Sequence, residues 1–168
     1  YLYGCVSKDL EKLKEVLGEY YDGVNDKLES IKKVNFSVLP NGIIHNDIFP
    51  DNVFTKTGEI TGIIDFNDAI SGPFLHDIAI VLNFWVFNIF KEYKMEIVHS
   101  FFKGYEKNRG ITLEEKKAMP AALDKAALTF LFLRIKKFNF DPCEGVQREF
   151  KDFRDLLPMV FADKKIFN

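Results

Sequence analysis

The eight residues HNDIFPDN, at positions 45–52, place a histidine, two aspartates and two asparagines beside apolar residues. Short polar side chains of this kind usually mark solvated turns, where they bond to their own backbone. Here, however, two isoleucines lead into the stretch, and Val53 and Phe54 follow it. We interpret residues 45–52, called the polar loop below, as a rigid, half-buried loop that holds a catalytic group and a metal.

Within the polar loop, Asp47 is the candidate for proton transfer. A carboxylate beside a bound alcohol can accept the proton of the attacking hydroxyl group. Asp47 lies five residues before Asn52, close enough to act on a group held near a metal without being forced to bind the metal itself. This division of labour is typical of phosphoryl transfer, where positioning and charge neutralisation supply most of the rate.

The residues after the polar loop predict a β-hairpin. Residues 53–57 and 60–65 read as two short strands joined by Gly58-Glu59, and Gly in the first position suits a tight two-residue turn. The predicted register pairs Val53 with Ile64 and Phe54 with Ile63, and it sets Asn52 opposite Asp65.

Directly opposed side chains lie about 5 Å apart on one face of a hairpin. Asn52 and Asp65 would therefore present their oxygen atoms to one cation. Mg²⁺ prefers a few protein oxygens together with substrate phosphates and water, so the hairpin predicts a Mg²⁺ site at these two residues.

The distribution of charge agrees with a cation near the polar loop. Between Lys33 and Lys91 the chain has six acidic residues and one basic residue, Lys56, whereas the remainder holds 19 acids and 22 bases. The six acids are Asp47, Asp51, Glu59, Asp65, Asp68 and Asp77. Carboxylates gathered in a partly buried place raise one another's pKa unless a cation joins them. A metal or a cationic substrate is the natural partner, and a solvated acidic face is the alternative.

Composition excludes several classes of protein. The 168 residues fit one domain, and a net charge of −2 gives no reason to expect a nucleic-acid partner. The longest apolar run, residues 78–90, is short of the roughly 20 residues that cross a bilayer, so no membrane partner is expected. Cys5 and Cys143 are too few for a disulfide framework, which favours a reduced, cytoplasmic setting.

Helical spacing predominates elsewhere in the chain. Residues 8–34 predict a helix in which Gly18 and Gly23 are weak points, and residues 74–90 predict a core helix that includes Trp85. Further helices are expected over residues 91–110, from Thr112 onward and after Asp141-Pro142. Thr112 and Glu115 form a capping-box pattern, and Pro120 is expected to split the helix that they begin. The predicted fold is α+β and mostly α-helical, with one small hairpin.

The polar loop and hairpin resemble the catalytic region of the protein-kinase-like small-molecule kinases, which include aminoglycoside and choline phosphotransferases. Their pattern is His-x-Asp, then Asn five residues after the Asp, then a hairpin that ends in Ile-Asp-Phe or Ile-Asp-Trp. This chain reads HNDIFPDN and then GIIDF. A later Tyr-Asp-hydrophobic-Ala element is matched by HDIA at residues 76–79, with His76 in place of Tyr.

Within that group, the chain is most similar to bacterial type II homoserine kinases. The likeness lies in LPNGIIHNDIFPDNVF (39–54), LNFWVF (82–87) and ITLEEKKAMPAALDKAALTFLFLRI (111–135). Four residues depart from the pattern on the acceptor side, namely Asn46, Asn67, Asp68 and Thr129.

The resemblance implies a fold, a reaction and roles for particular residues. The chain would be the single C-terminal lobe of a protein-kinase-like fold, without the N-terminal nucleotide-binding lobe. The cofactors would be ATP and Mg²⁺, and the acceptor would be a small alcohol, homoserine first, as in threonine biosynthesis. Asp47 would be the base and Asn52 and Asp65 the metal ligands. His45 would pack beneath the loop, Asp77 would bind the loop's amides, and Asp68 would contact a substrate amine or lie in solvent.

Three alternatives remain open from the sequence. The acceptor could be another small alcohol, the chain could be a catalytically silent binding module, or the same acids could serve a metal-dependent hydrolase. Retention of Asp47, Asn52 and Asp65 together favours the kinase. Because no glycine loop or phosphate-binding lysine precedes residue 39, we expect the chain by itself to bind Mg-ATP poorly and to phosphorylate nothing measurably.

Overall fold

Helices account for most of the residues, as the sequence predicts. The computed structural model describes residues 10–140 and 151–167. Its main helices are α1 (Leu10–Leu17), α2 (Tyr21–Lys32), α3 (Phe74–Val81), α4 (Met95–Tyr105), α5 (Leu113–Ile135) and α6 (Leu157–Phe161). Its strands are β1 (Asn41–Ile44), β2 (Val53–Lys56), β3 (Glu59–Ile63) and β4 (Ile70–Pro73). A π-helical segment, Leu82–Phe87, and a last turn, Asn88–Phe90, continue α3, and a second π-helical segment, Lys136–Phe140, continues α5.

Helix α5 lies at the centre of the core and packs along α3. Met119, Leu123 and Leu128 on α5 and Leu75 on α3 are all inaccessible to solvent. The prediction that Pro120 splits α5 is wrong, because the helix runs without a break from Leu113 to Ile135. A proline inside a helix costs about 3 kcal/mol. Here Pro120 is exposed and its buried neighbours hold the helix on both sides of it.

The expected weak points between α1 and α2 behave differently from each other. At Gly18 the backbone adopts φ of +53°, and a short 3₁₀ turn, Gly18–Tyr20, separates the two helices. Gly23, by contrast, lies inside α2, where a β-carbon would come within 2.8 Å of the Phe161 ring. Glycine at position 23 therefore permits close packing of α6 on α2 and does not break the helix.

A two-stranded antiparallel sheet between β1 and β4 escaped the sequence analysis. Asn41 pairs with Pro73 and Ile44 pairs with Ile70. Each strand has only four residues, and the paired positions are about thirty residues apart in sequence. No local sequence pattern therefore predicts this sheet. The sheet brings the start of the polar loop, which follows β1, to the start of α3, which follows β4.

The hairpin forms, but in a different register from the predicted one. Val53 pairs with Ile63 and Phe54 with Gly62, so the predicted pairs Val53–Ile64 and Phe54–Ile63 are wrong. The turn residues are Thr57 and Gly58, both with positive φ (51° and 84°), which is a type I′ geometry. An irregularity between Phe54 and Thr55 shifts the register once more, as a β-bulge does.

The remaining helix predictions hold in part. The capping box at Thr112 and Glu115 is confirmed, since each side chain accepts a hydrogen bond from the other's backbone amide. The helix expected over 91–110 is shorter, Met95–Tyr105. The start expected at Asp141-Pro142, and both cysteines, lie outside the described residues.

The described residues contain no helix that is both long enough and apolar enough to span a bilayer.

Candidate active site

The polar loop is held to α3 by a carboxylate. Asp77, in the first turn of α3, accepts hydrogen bonds from the backbone amides of His45 (2.8 Å) and Asn46 (2.9 Å). The contact expected between Asp77 and the loop's amides is thus present. Asn46 needs such support because its φ is +66°, a left-handed conformation that Asn tolerates better than most residues.

His45 lies beneath the loop and joins it to the hairpin. The side chain is buried, its Nε2 lies 2.8 Å from the Ile64 carbonyl oxygen, and its Nδ1 accepts the Asp47 amide at 3.3 Å. A neutral imidazole with its proton on Nε2 satisfies both contacts. The Phe66 ring packs on the imidazole with centroids 4.5 Å apart. His45 therefore fixes the backbone on which Asp47 stands.

Asp47 and Asn52 are in direct contact across the loop. The Asn52 amide nitrogen donates to the Asp47 carboxylate at 3.1 Å and to the Asp47 backbone carbonyl at 2.8 Å. Both donor hydrogens of Asn52 are thereby engaged, and its side-chain oxygen is left as an acceptor. The short 3₁₀ turn Pro50–Asn52 delivers Asn52 to this position.

Burial and neighbouring charges perturb the Asp47 carboxylate. Desolvation raises the pKa of Asp47 above its ordinary value, and the hydrogen bond from Asn52 lowers it in part. The negative charges of Asp68, Asp51 and Asp65 raise that pKa further. The acids that the sequence gathers in this segment thus act on one another in the folded protein, and an added cation would relieve them.

Asp65 is not the strand residue that the sequence predicts. Strand β3 ends at Ile63, the Ile64 amide bonds to the Asn52 carbonyl at 3.0 Å, and Asp65 follows with φ of +63°. Asn52 therefore faces Ile64, and the predicted opposition of Asn52 and Asp65 is wrong. Strand alternation no longer governs the direction of the Asp65 side chain, whose Oδ1 accepts the Asn67 amide at 2.7 Å.

Two further residues hold the loop and were assigned to the core by the sequence analysis. Trp85 is half-buried, and its indole N–H donates to the Ile48 carbonyl at 2.8 Å. The neighbouring Phe84 packs against Phe49, with ring centroids 4.5 Å apart. Trp85 is the only tryptophan in a chain with 18 phenylalanines, which is the one signal that could have singled it out.

The pattern that carries this site is shared with known proteins. A model of the phosphotransferase enzyme family matches residues 8–111, which is more than half of the chain and contains the whole polar loop and hairpin. The chain belongs to the phosphotransferase enzyme family.

Three similar curated proteins are homoserine kinases from different bacteria. The chain is 35% identical over 134 residues to the homoserine kinase of Neisseria meningitidis, which covers 78% of the chain and 44% of that protein. It is 38% identical over 131 residues to the homoserine kinase of Rhodopseudomonas palustris (78% and 38% covered), and 37% over 108 residues to that of Gluconobacter oxydans (64% and 34% covered). The chain therefore spans less than half the length of the relatives that it matches.

Proposed function

We propose that the chain is the catalytic-loop lobe of a longer ATP- and Mg²⁺-dependent kinase, which transfers the γ-phosphoryl group to the hydroxyl of a small molecule, with homoserine as the leading acceptor. The observation that carries the proposal is the contact between Asp47 and Asn52. It places a candidate base against a candidate metal ligand on a loop that is hydrogen-bonded to Asp77, to Trp85 and, through His45, to the Ile64 carbonyl. The names of the curated relatives support homoserine as the acceptor.

Asp47 has the environment that a general base requires. Burial raises the pKa of Asp47 above its ordinary value, which makes the carboxylate a better proton acceptor. In the proposed reaction Asp47 takes the proton of the acceptor hydroxyl as the oxygen attacks phosphorus. The hydrogen bond from Asn52 holds the carboxylate in one orientation. The charge of Asp68 acts on Asp47, and we propose that Asp68 meets the ammonium group of an amino-alcohol acceptor.

The chemistry of the donor atoms, and not the predicted hairpin pairing, supports magnesium. The Asn52 side-chain oxygen and the Asp65 carboxylate are hard oxygen ligands, and the described residues contain no cluster of three His, Cys, Asp or Glu side chains that could form a complete metal site. A pair of protein ligands suits Mg²⁺, which keeps several waters and binds substrate phosphates. When bound, the ion would neutralise charge that develops on the phosphoryl oxygens.

Exposed apolar side chains support the placement of this chain within a longer protein. Phe54 and Ile60 on the hairpin and Phe66 in the next turn are each more than half exposed. Large exposed apolar side chains grouped in one place mark surfaces that another structure covers. We propose that the remainder of the longer kinase, including its nucleotide-binding lobe, lies against this side of the hairpin.

The test is a phosphorylation assay on the full-length protein that contains this chain. ATP and Mg²⁺ are incubated with homoserine, choline or an aminoglycoside, and ³¹P NMR follows the product. We expect O-phosphohomoserine to form fastest. Faster phosphorylation of choline or an aminoglycoside would replace homoserine while keeping the kinase, and ATP consumption without any phosphorylated acceptor would reject the phosphotransferase.

The 168-residue chain assayed alone provides a second arm. Effective positioning contributes about 7–11 kcal/mol to catalysis, and in the proposal most of the nucleotide's contacts come from the missing lobe. We expect the isolated chain to form no measurable phosphohomoserine. Robust product formation by the chain alone would show that the nucleotide clamp lies within these residues.

A further inference from the structure

The π-helical segment after α3 is anchored to the core through a buried asparagine. Asn83 is inaccessible to solvent. Its side-chain amide donates to the Leu123 carbonyl of α5 at 2.9 Å, and its side-chain oxygen accepts the Tyr93 hydroxyl at 2.6 Å. These two bonds fix the segment relative to the central helix of the fold.

The next two residues of the segment reach two consecutive residues of the polar loop. Phe84 packs on Phe49, and both rings meet Phe130 of α5, at 5.1 and 4.7 Å between centroids. Trp85 donates its indole N–H to the Ile48 carbonyl at 2.8 Å. The loop is therefore held from the core by an aromatic cluster and by one directional hydrogen bond.

Both contacts come from the π-helical segment Leu82–Phe87. A π-helix has hydrogen bonds from residue i to i+5, and such turns occur frequently at functional sites. Within this segment, Phe84 and Trp85 contact different residues of the loop, Phe49 and Ile48.

We propose that residues 83–85, called the loop clamp below, position Asp47 for catalysis, with the Trp85 indole N–H as the decisive contact. The inference rests on the proposed phosphotransferase function. The path to Asp47 is short: Ile48 is its covalent neighbour, and the Phe49 amide donates to the Asp47 carbonyl at 2.8 Å. Without the Trp85 bond, the Ile48 carbonyl loses its partner and the backbone that carries Asp47 can shift. A displacement near 1 Å can cost up to about a hundredfold in rate.

The test replaces Trp85 with Phe in the full-length protein, which keeps an aromatic ring and removes the N–H. We expect kcat to fall roughly tenfold or more while KM for ATP changes less than about twofold, because the lost hydrogen bond is to the loop backbone beside Asp47. Tyr105→Phe is the matched control, since it removes one hydrogen-bonding group, the partner of Arg109, from an aromatic side chain on α4.

Two unnatural residues at position 85 test whether the N–H itself matters. 7-Azatryptophan keeps the N–H and should retain activity, whereas benzothienylalanine has sulfur in its place and should behave like Trp85→Phe.

Hydrogen exchange in the 168-residue chain supplies a readout that does not require activity. Trp85→Phe should accelerate exchange at the Phe49 and Asn52 amides, which bond to the Asp47 and Phe49 carbonyls at 2.8 and 3.1 Å. Unchanged kcat, or unchanged exchange at both amides, would overturn the clamp. If the full-length wild type transfers no phosphoryl group to any acceptor, the proposed function fails, and the exchange result alone decides whether Trp85 positions the loop.

Discussion

The polar loop and the corner that joins α4 to α5 both contain buried or half-buried carboxylates, and the protein treats them in opposite ways. At the corner, Glu115 is inaccessible to solvent and forms a two-pronged ion pair with Arg109, one prong at 2.9 Å. It also accepts the Thr112 amide at 3.0 Å. Burial alone would raise the pKa of Glu115, but Arg109 and Thr112 together bring it below its ordinary value.

In the polar loop, burial raises the pKa of the Asp47 carboxylate and three neighbouring carboxylates raise it further, while the hydrogen bond from Asn52 lowers it only in part. Asn46 and Asp65 add left-handed backbone to the same small region. Strained or like-charged groups persist where a function requires them, whereas fully paired charges serve stability. The difference predicts that substitutions in the loop affect turnover more than stability, and that substitutions at the corner do the reverse.

The largest expected effect is the loss of turnover on Asp47→Asn. In the full-length protein, kcat should fall by about a thousandfold, the middle of the range for removal of a general base, with little change in nucleotide binding. Steady-state kinetics and nucleotide titration measure the two quantities. Asp51→Asn is the control, because Asp51 is an exposed loop carboxylate that also acts on Asp47. A near-normal kcat for Asp47→Asn would remove Asp47 from its proposed role.

The corner should give the second effect, on stability alone. Glu115→Gln leaves the Arg109 guanidinium without its charged partner, and breaking a buried ion pair costs about 3 kcal/mol. Urea denaturation of the 168-residue chain measures the loss of unfolding free energy. Glu114→Gln, at the exposed neighbouring position, should change it by no more than about 0.5 kcal/mol. The kcat of Glu115→Gln in the full-length protein should stay near the wild-type value. A large fall in kcat would contradict the prediction that substitutions at the corner affect stability more than turnover.

The sequence predicted these two regions unequally well. The corner is local: Thr112 and Glu115 are three residues apart, and that spacing alone specifies the capping box. The Asp47–Asn52 contact is also local, five residues within one loop. The surrounding support was predicted less well, because the hairpin turns at Thr57-Gly58 instead of Gly58-Glu59, the bulge at Phe54/Thr55 then shifts the register by one residue, and the β1–β4 pairing joins distant segments.

Helix geometry was the other feature that the spacing of apolar residues did not predict. Pro120 satisfies every rule for a helix breaker, yet tertiary packing around Met119 and Leu123 keeps α5 continuous. The apolar run of residues 78–90 predicts a buried helix but not its π-helical part, so Trp85 was assigned to the core. Both errors have one physical cause, namely that packing against other elements outweighs local preference.

The third prediction concerns His76. Its neighbour in sequence, Asp77, accepts the backbone amides of the polar loop. Burial, and secondarily the charge of Lys125, lower the pKa of His76 to about 4, with Asp77 opposing the shift. Between pH 6.5 and about 4 the unfolded chain binds a proton that the folded chain does not. The unfolding free energy should therefore fall as pH falls through that window, with a contribution of at most about 1.4 kcal/mol per pH unit.

Urea titrations at several pH values test this. His76→Gln should flatten the slope between pH 6.5 and 4, whereas Glu115→Gln should flatten it mainly below the ordinary glutamate range, where the lowered pKa of Glu115 lies. His99→Gln is the control for the loss of an imidazole, because His99 is exposed on α4. An unchanged slope in His76→Gln would show that His76 does not remain neutral in the folded chain.

The smallest expected effect is the change in unfolding free energy on Asp47→Asn. Its sign should be opposite to that of the change on Glu115→Gln. The folded chain raises the pKa of Asp47, so it binds that proton more tightly than the unfolded chain does. Stability contributed by the protonated form is present at low pH and is lost as pH rises through the raised pKa, so the ionised form of Asp47 destabilises the fold. Asp47→Asn removes that charge and keeps an oxygen that can accept the Asn52 amide. It should therefore raise the midpoint of urea denaturation at pH 7 slightly and leave it unchanged below the ordinary aspartate range. Asp22→Asn, at an exposed residue on α2, is the control.

Because Asp47 and Glu115 share no hydrogen-bond partner among the described contacts, the double substitution Asp47→Asn/Glu115→Gln should show additive changes. A lower midpoint for Asp47→Asn at pH 7 would mean that the loop carboxylate is stabilising, and the contrast between a strained site and a satisfied corner would be lost.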